Sequence, residues 1–526
     1  MIGVGVIMLA AALACVLSRL AGVPLIPLYL LTGWLVWLVG VEAPEDFATE
    51  ALQLGVAVLV FLAGTELNPQ RIVTDRRRAT LLSLVPMLVT GGCMLLWLRL
   101  NGTGLQPALY LAAALAGSST IVAIRQLRQL RQTREPFGRL VISVQLLQDF
   151  FLVGVLVFVA ALPDGWIASL LALGKSTLLL AVAIFLQTKA VPRVLTRTRL
   201  GDETLLMLML ALLFAFGAGA AALGLPLVVG AFVAGLAISR FPANGLLRVQ
   251  LAALGDFFFA IFFVTLGYVA GLPASGTLVK AIGLALVIVI LRPAITTVLA
   301  RLLGLSARPA VESSLLLGQA GELGLVIGLV GLGNGSLSAA DFSLLAAVTA
   351  FTMMLTPFLA TDATTSWLLH HLPRRRPPKP GSLRGHVLLL GYGAAGRWVL
   401  KSLQEGGCEV FVVDDDPAVI AHLEANGIPC LRGDGSDPYV LAAAGADDAR
   451  IIVCSMRRSA DAAKVLRFLG GKVPAIVRVF ETWEADRIQR LGGIPVLNSA
   501  AAARRFLEWF DASSHRCASA SGETKN

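Results

Sequence analysis

The chain has 526 residues, 56% of them hydrophobic and only 14% charged, with a net charge of +10. Soluble domains carry charge at about a quarter of their positions, so the composition excludes a wholly soluble protein. Most of the Arg and Lys excess sits in short loops between apolar segments, where it is an orientation signal and calls for no nucleic acid as partner.

Up to about residue 370, apolar runs recur at the length, about 18–25 residues, that carries a helix across roughly 30 Å of hydrocarbon. They predict about thirteen transmembrane helices near 2–20, 22–41, 49–66, 79–99, 106–124, 140–161, 166–190, 203–222, 225–239, 253–272, 277–303, 312–332 and 342–360. No basic residue precedes the first run and a second span follows at once, which argues against a cleaved signal peptide. The six cysteines (Cys15, Cys93, Cys408, Cys430, Cys454, Cys517) have no paired spacing, so neither a disulfide framework nor a metal site is expected.

Loops after odd-numbered spans hold nearly all the basic residues: Arg71, Arg76, Arg77, Arg78; Arg125, Arg128, Arg131, Arg134; Lys189, Arg193, Arg197, Arg199; Arg240, Arg248; Arg301, Arg308. Loops after even-numbered spans hold little beyond Arg99. The positive-inside rule then places the N-terminus outside and the C-terminus in the cytoplasm, and the alternation fits an odd number of spans in the cell inner membrane.

An ionised group at the centre of a membrane helix costs at least about 2.5 kcal/mol, so each one is a functional candidate. The sixth span places Asp149, after Gln148, near mid-membrane, and the eleventh places Arg292 at similar depth before Pro293. A carboxylate that takes either a proton or a cation suits coupled exchange, and a nearby guanidinium is expected to hold it ionised when empty. A static ion pair joining two helices is the plainer alternative. Spans five and twelve are interrupted, at Ala116-Gly117-Ser118-Ser119-Thr120 and at Gly318-Gln319-Ala320-Gly321-Glu322-Leu323-Gly324. With 1–6 and 8–13 as two halves, both interruptions fall in the fifth helix of a half. Paired interruptions of this kind point to a transporter site built on inverted repeats, although close helix packing alone also favours small residues.

With these residues in view, Phe61-Leu62-Ala63-Gly64-Thr65-Glu66-Leu67-Asn68-Pro69 resembles the FLxGLELDP stretch of the monovalent cation:proton antiporter-2 family, which includes the Kef-type potassium efflux systems. Gly117-Ser118-Ser119-Thr120 resembles the broken helix of that family. Gln148-Asp149 resembles the Gln-Asp pair of its potassium members. Gly230-Ala231-Phe232-Val233-Ala234-Gly235-Leu236 and Gln319-Ala320-Gly321-Glu322 also correspond. The resemblance covers about 3–365. It implies a scaffold helix group and a mobile core of spans 4–6 and 11–13. Asp149 would take up a proton and a cation in turn, with Ser119, Thr120 and Gln148 lining the site. Arg292, Gln319, Glu322 and Glu66 would support it. One carboxylate beside a neutral Gln suggests electroneutral exchange, with Glu66 and Glu322 as further titratable groups. The stretch Phe241-Pro242-Ala243-Asn244-Gly245-Leu246-Leu247-Arg248 lacks the acids of the Kef regulatory loop, and Asn68 replaces the usual Asp. Glutathione gating of that type is therefore not expected.

The chain falls into four expected parts: an exchanger domain at 1–370, a Pro- and Arg-rich linker at 371–385, a nucleotide-binding domain at 386–511 and a disordered polar tail at 512–526. In the third part the strand run His386-Val387-Leu388-Leu389-Leu390 leads into Gly391-Tyr392-Gly393-Ala394-Ala395-Gly396 and then a helix, the context that gives Gly-x-Gly-x-x-Gly its meaning. Val410-Phe411-Val412-Val413 ends in Asp414, placed to accept from ribose hydroxyls. Together with Gly433-Asp434-Gly435-Ser436-Asp437-Pro438, these residues resemble the TrkA-N (RCK) domain, an α/β Rossmann-like fold. The resemblance implies regulatory NAD(H) or adenine-nucleotide binding by a homodimer. The function expected is a nucleotide-regulated potassium:proton antiporter in the lipid bilayer, a secondary transporter and not an enzyme. An RCK-gated channel would need a Thr-Val-Gly-Tyr-Gly filter, which the sequence does not contain. A membrane-bound NAD-dependent oxidoreductase would need a substrate domain beside the scattered His386, His422 and His515.

Overall fold

The computed structural model describes residues 2–21, 23–40, 45–67, 76–129, 132–133, 136–193, 201–239, 245–371, 384–456 and 458–497. Asn68 and Pro69, Arg71, Arg131, Arg134, Arg197, Arg199, Arg240, the stretch 241–244, most of the expected linker and the expected tail lie outside them. Contacts divide the chain into two units, Met1–Leu303 with Pro309–His370, and Gly304–Arg308 with His371–Asn526.

The first unit is helical. Seven of its described helical segments are long and apolar enough to cross a membrane: Arg76–Leu100, Leu105–Arg128, Phe137–Asp164, Trp166–Arg193, Glu203–Ala222, Ser275–Leu302 and Ala339–Leu359. Five shorter apolar helices accompany them, Gly5–Leu20, Leu25–Leu38, Leu227–Ile238, Gly255–Ala270 and Glu322–Gly333. In chain order, α1 (Ile2–Ala21), α2 (Leu25–Leu38) and α3 (Glu45–Glu66) precede α4 (Arg76–Leu100). Expected span five is two helices, α5 (Leu105–Ala116) and α6 (Thr120–Gln129), followed by α7 (Pro136–Ala160) and α8 (Trp166–Phe185). Next come α9 (Asp202–Ala222), α10 (Leu227–Ile238), α11 (Gly245–Ala270) and α12 (Ser275–Leu302). Expected span twelve is likewise two helices, α13 (Ala307–Leu316) and α14 (Glu322–Gly333). Then α15 (Ala339–Leu359) opens with a capping box, Ser338 accepting from the Asp341 amide, and a short helix not anticipated from the sequence, α16 (Asp362–His371), follows.

Two helix groups form within this unit. Helices α1–α3 pack with α9–α11, and α4, α5, α7, α12, α14 and α15 pack with one another. The α3–α10 crossing explains two of the quoted motifs. Gly64 and Gly235 face each other there, and a Cβ on Gly235 would overlap the Phe61 carbonyl and come within 2.9 Å of the Thr65 amide. Only glycine lets these two backbones approach so closely.

The second unit carries six parallel strands in the order β3-β2-β1-β4-β5-β6. These are β1 (Val387–Leu390), β2 (Val410–Asp414), β3 (Cys430–Arg432), β4 (Ile451–Cys454), β5 (Ala475–Val479) and β6 (Ile494–Leu497). All four residues of β1 are buried, as a central parallel strand requires. The strand order reverses between β1 and β4, and the crevice beyond the carboxyl ends of those two strands is where such sheets bind ligands. Helix α17 (Ala394–Glu405) follows β1, α18 (Pro417–Ala425) follows β2, α19 (Pro438–Ala443) follows β3 and α20 (Ser459–Leu469) follows β4.

Candidate functional site

A broken helix leaves carbonyls unpaired at one half's C-terminus and amides unpaired at the other half's N-terminus. Buried in a membrane protein, each such group costs several kcal/mol unless a partner is found. In the first unit these ends meet. Residues 117–119 separate α5 from α6, and residues 317–321 separate α13 from α14.

Arg292 serves the carbonyls. It is 1% exposed, and its Nη1 donates to the Gly117 carbonyl at 2.9 Å and to the Gln319 carbonyl, while Nη2 donates to the Leu115 carbonyl. This corrects the expectation that Arg292 holds Asp149 ionised. Its guanidinium is committed to the interrupted backbones, and no Arg292–Asp149 ion pair occurs among the described residues. Each of these charge-assisted bonds is worth about 1.5–3 kcal/mol and works against the cost of burying the cation, whose Nε has no hydrogen-bond partner among the described residues.

Ser119 serves the amides of α6, its hydroxyl accepting from the Val122 amide at 3.3 Å. Glu322 begins α14, and its buried carboxylate lies beside Ser119 and the first amides of α6, where a negative charge is favoured. Its Oε2 has no hydrogen-bond partner, and neither does the Gln319 Oε1.

Asp149 lies on α7, buried, and accepts one hydrogen bond, from Thr120 Oγ1 at 2.8 Å. The charged groups that act on it are Glu322 and, from the end of α3, Glu66, whose side chain is exposed. The neighbouring Gln148 turns the other way. Its Oε1 accepts from the Ser118 amide at 3.3 Å and the Ser118 hydroxyl at 2.5 Å, and its Nε2 donates to the Ser83 carbonyl on α4 at 3.4 Å. Gln148 thus fastens α7 to the broken segment rather than bonding Asp149. Gln145, one turn earlier, does the same work, accepting from Ser118 Oγ at 2.7 Å and donating to the Ser119 carbonyl at 2.7 Å. Gln319 reaches that same Ser119 carbonyl from the other break at 3.2 Å. The sequence reading missed Gln145, Ser118 and Ser83. The i, i+3 spacing of Gln145 and Gln148 on one apolar helix was the available signal.

In the second unit Gly391 has φ 93° and its amide donates to the Val413 carbonyl at 2.8 Å. A Cβ on Gly396 would overlap the Gly391 carbonyl and come within 3.0 Å of Ser455 Oγ. Helix α17 starts at Ala394, and its N-cap, Gly393, supplies no side-chain cap. The amides of that first turn, which includes Ala394, Ala395 and Gly396, are therefore left for a ligand, the arrangement that accepts a pyrophosphate. Asp414 closes β2, and its two oxygens accept the Tyr392 amide at 2.6 Å and the Asp416 amide at 2.9 Å. Each oxygen retains lone-pair capacity for a hydroxyl donor. Burial pushes the Asp414 carboxyl up, against the lowering effect of those amides. Asp434, just after β3, accepts from the Ser436 amide and hydroxyl, both at 2.8 Å. Ser455, missed in the sequence, donates to the Gly391 carbonyl at 2.6 Å and fixes the glycine turn.

Segment Gly304–Arg308 clusters with this second unit. Ser306 Oγ donates to Asp415 Oδ2 at 2.9 Å, and Arg432 donates to the Gly304 carbonyl. Arg308, read above as an orientation charge, is only 7% exposed. It pairs with Asp461 at 2.8 Å and Asp434 at 3.6 Å and donates to Ser436 Oγ at 3.2 Å. Burial first, and then the charges of Asp414 and Asp434, push the Asp415 carboxyl up to about 7.

This geometry agrees with the comparisons to known proteins. Residues 6–361 match the family described as sodium/hydrogen exchanger, transmembrane, and residues 387–499 match the TrkA-N domain. The sodium/proton antiporter MjNhaP1 of Methanocaldococcus jannaschii, solved at pH 8, has a similar fold. It is 16% identical over 70% of this chain and 98% of its own, with a TM-score of 0.56. Two further structures are similar over a smaller share of the chain. The TrkA-N domain of the inner membrane protein ybaL from Escherichia coli is 20% identical over 24% of this chain and 98% of its own (TM-score 0.24). The GsuK channel bound to NAD is 20% identical over 42% of this chain and 41% of its own (TM-score 0.22).

The fold and the crossed, broken helices are those of a membrane antiporter with a C-terminal parallel α/β domain. The chain belongs to the sodium/hydrogen exchanger family. It is a cation/proton antiporter carrying a TrkA-N domain, and a transporter rather than an enzyme.

Proposed function

We propose that the chain exchanges a monovalent cation, potassium, for a proton by alternating access at Asp149, and that a nucleotide bound to the C-terminal unit regulates it. One observation carries this reading. Asp149 is a buried carboxylate on α7 beside the broken segment, and it accepts one side-chain hydrogen bond, from Thr120 Oγ1 at 2.8 Å. Its charge is left for an exchangeable ion, either a proton or a cation assisted by Thr120 and the break. Potassium as the cation rests on the Gln148–Asp149 pair, the combination found in the potassium branch of the resembling family. Gln148 acts through the break that it holds in place. The helix groups noted above supply the moving parts, with the α4, α5, α7, α12, α14 and α15 group carrying the site past the α1–α3 and α9–α11 scaffold. The open first turn of α17, the Gly391 turn and Asp414 support NAD(H) or an adenine nucleotide as regulator. The loop charges support a cytoplasmic C-terminus in the inner membrane, and the resemblance to the TrkA-N domain supports a homodimer.

The test is exchange in proteoliposomes with a trapped pH dye. Under an imposed proton gradient, potassium should dissipate the gradient with wild type and fail with Asp149→Asn, which should match protein-free liposomes. Dissipation by sodium alone would replace potassium as the substrate. Equal rates for wild type and Asp149→Asn would remove Asp149 from the mechanism.

A further inference from the structure

Among the described loop cations Arg308 is unusual because it is buried and paired with two acids. Its guanidinium contacts Asp461 at 2.8 Å, Ser436 Oγ at 3.2 Å and Asp434 at 3.6 Å. Those partners sit where a bound nucleotide would need them. Asp434 follows β3 directly, and the Gly433 amide donates to the Asp414 carbonyl at 3.0 Å, so Asp434 lies beside the residue placed for ribose. A Cβ on Gly435 would rest 3.4 Å from Leu390 at the end of β1. Asp461 stands in the first turn of α20, the helix after β4. The arginine therefore occupies the carboxyl-end crevice of the sheet, the ligand side of such folds. Ser306 and Gly304 hold the rest of its segment there through Asp415 and Arg432.

The segment also has a consequential place in the chain. Helix α12, which bears Arg292, ends at Leu302, and α13 begins at Ala307 and leads straight to Gln319 and Glu322. Residues 304–308 thus join the helix that bears Arg292 to the helix that leads to Glu322.

We propose that Arg308 and the bound nucleotide compete for Asp434 and Ser436, and that this competition transmits nucleotide occupancy to the ion site. This rests on the nucleotide reading above. An entering nucleotide engages Asp434 and Ser436 and frees the guanidinium from them, while its contact with Asp461 stays. Two ligands that exclude one another from the same groups weaken each other's binding by the same factor.

The experiment uses the full chain in nanodiscs for binding and in proteoliposomes for exchange, with NADH and ADP as probes. Arg308→Gln should bind the effective nucleotide about tenfold more tightly than wild type, within the usual range of such couplings. Its exchange rate should no longer differ with and without nucleotide. To separate this from misfolding, Arg308→Lys, which keeps a cation beside Asp434 and Asp461, should stay closer to the wild-type affinity than Arg308→Gln and keep part of the nucleotide response. Unchanged affinity and an unchanged response in Arg308→Gln would overturn the proposal, and weaker binding would make Arg308 a nucleotide ligand instead, overturning it equally. If wild type binds neither NADH nor ADP, the nucleotide reading fails and this proposal with it, while exchange through Asp149 stands or falls separately.

Discussion

The two units treat the same structural problem in opposite ways. Each places a helix N-terminus at its candidate site. At the membrane crossing, the N-terminal end of α6 is closed from within by the Ser119 hydroxyl, and the opposing carbonyl ends by Arg292. In the C-terminal unit, the N-terminal turn of α17 has only Gly393 before it and no side-chain cap. A helix end that water cannot reach must be satisfied by the protein itself, whereas one at the open edge of a sheet can wait for a ligand. The difference also separates fixed charges from working ones. Arg292 is tied to the crossing by its carbonyl partners, whereas in the proposed mechanism Asp149 is the group whose charge varies.

The comparison breaks first at Arg292. Arg292→Met removes the donor for the Leu115, Gly117 and Gln319 carbonyls and should cost about 3–5 kcal/mol, as loss of one partner of a buried charge does. Thermal unfolding of the purified protein should show a clear drop in midpoint and exchange should vanish, while Arg292→Lys recovers part of both. A stable, active Arg292→Met would mean that the crossing does not depend on this clamp. The open helix end should respond differently. Gly396→Val fills the space against the Gly391 carbonyl and Ser455, and NADH or ADP affinity should fall by at least about tenfold, about 1.4 kcal/mol. Basal exchange and the unfolding midpoint should change far less than in Arg292→Met, and nucleotide titration of the two variants sharpens the contrast.

Much of this architecture is legible in the amino-acid order, for physical reasons. Interruptions at Gly117-Ser118-Ser119 and Gly318-Gln319-Ala320-Gly321 stand out because small and hydroxyl residues are needed where a membrane helix unwinds. Asp149 stands out because a carboxylate is costly in hydrocarbon. The glycine pattern at 391–396 is readable because only a bare backbone admits the turn. What sequence hides is the choice of partner. Arg292 looks like a mate for Asp149, yet it binds carbonyls, and every residue has a carbonyl, so such a clamp leaves no mark on its partners. Gln148 was read as lining the ion, but its amide fastens α7 to Ser118 and Ser83. Gln145 and Ser118 read as neutral fillers until the two broken helices bring them together. Arg308 read as a loop charge because burial and its pairing with Asp461 are tertiary facts.

In the proposed mechanism a single carboxylate, Asp149, changes its charge partner during transport. One proton would then replace one monovalent cation at the site, and each cycle would move no net charge. Exchange rates measured in proteoliposomes with the membrane potential clamped at zero or at a negative value test this directly. The same rate is expected at both potentials. A rate that rises or falls with the imposed potential would mean that a second carboxylate, Glu322 or Glu66, titrates in the cycle, and would contradict it.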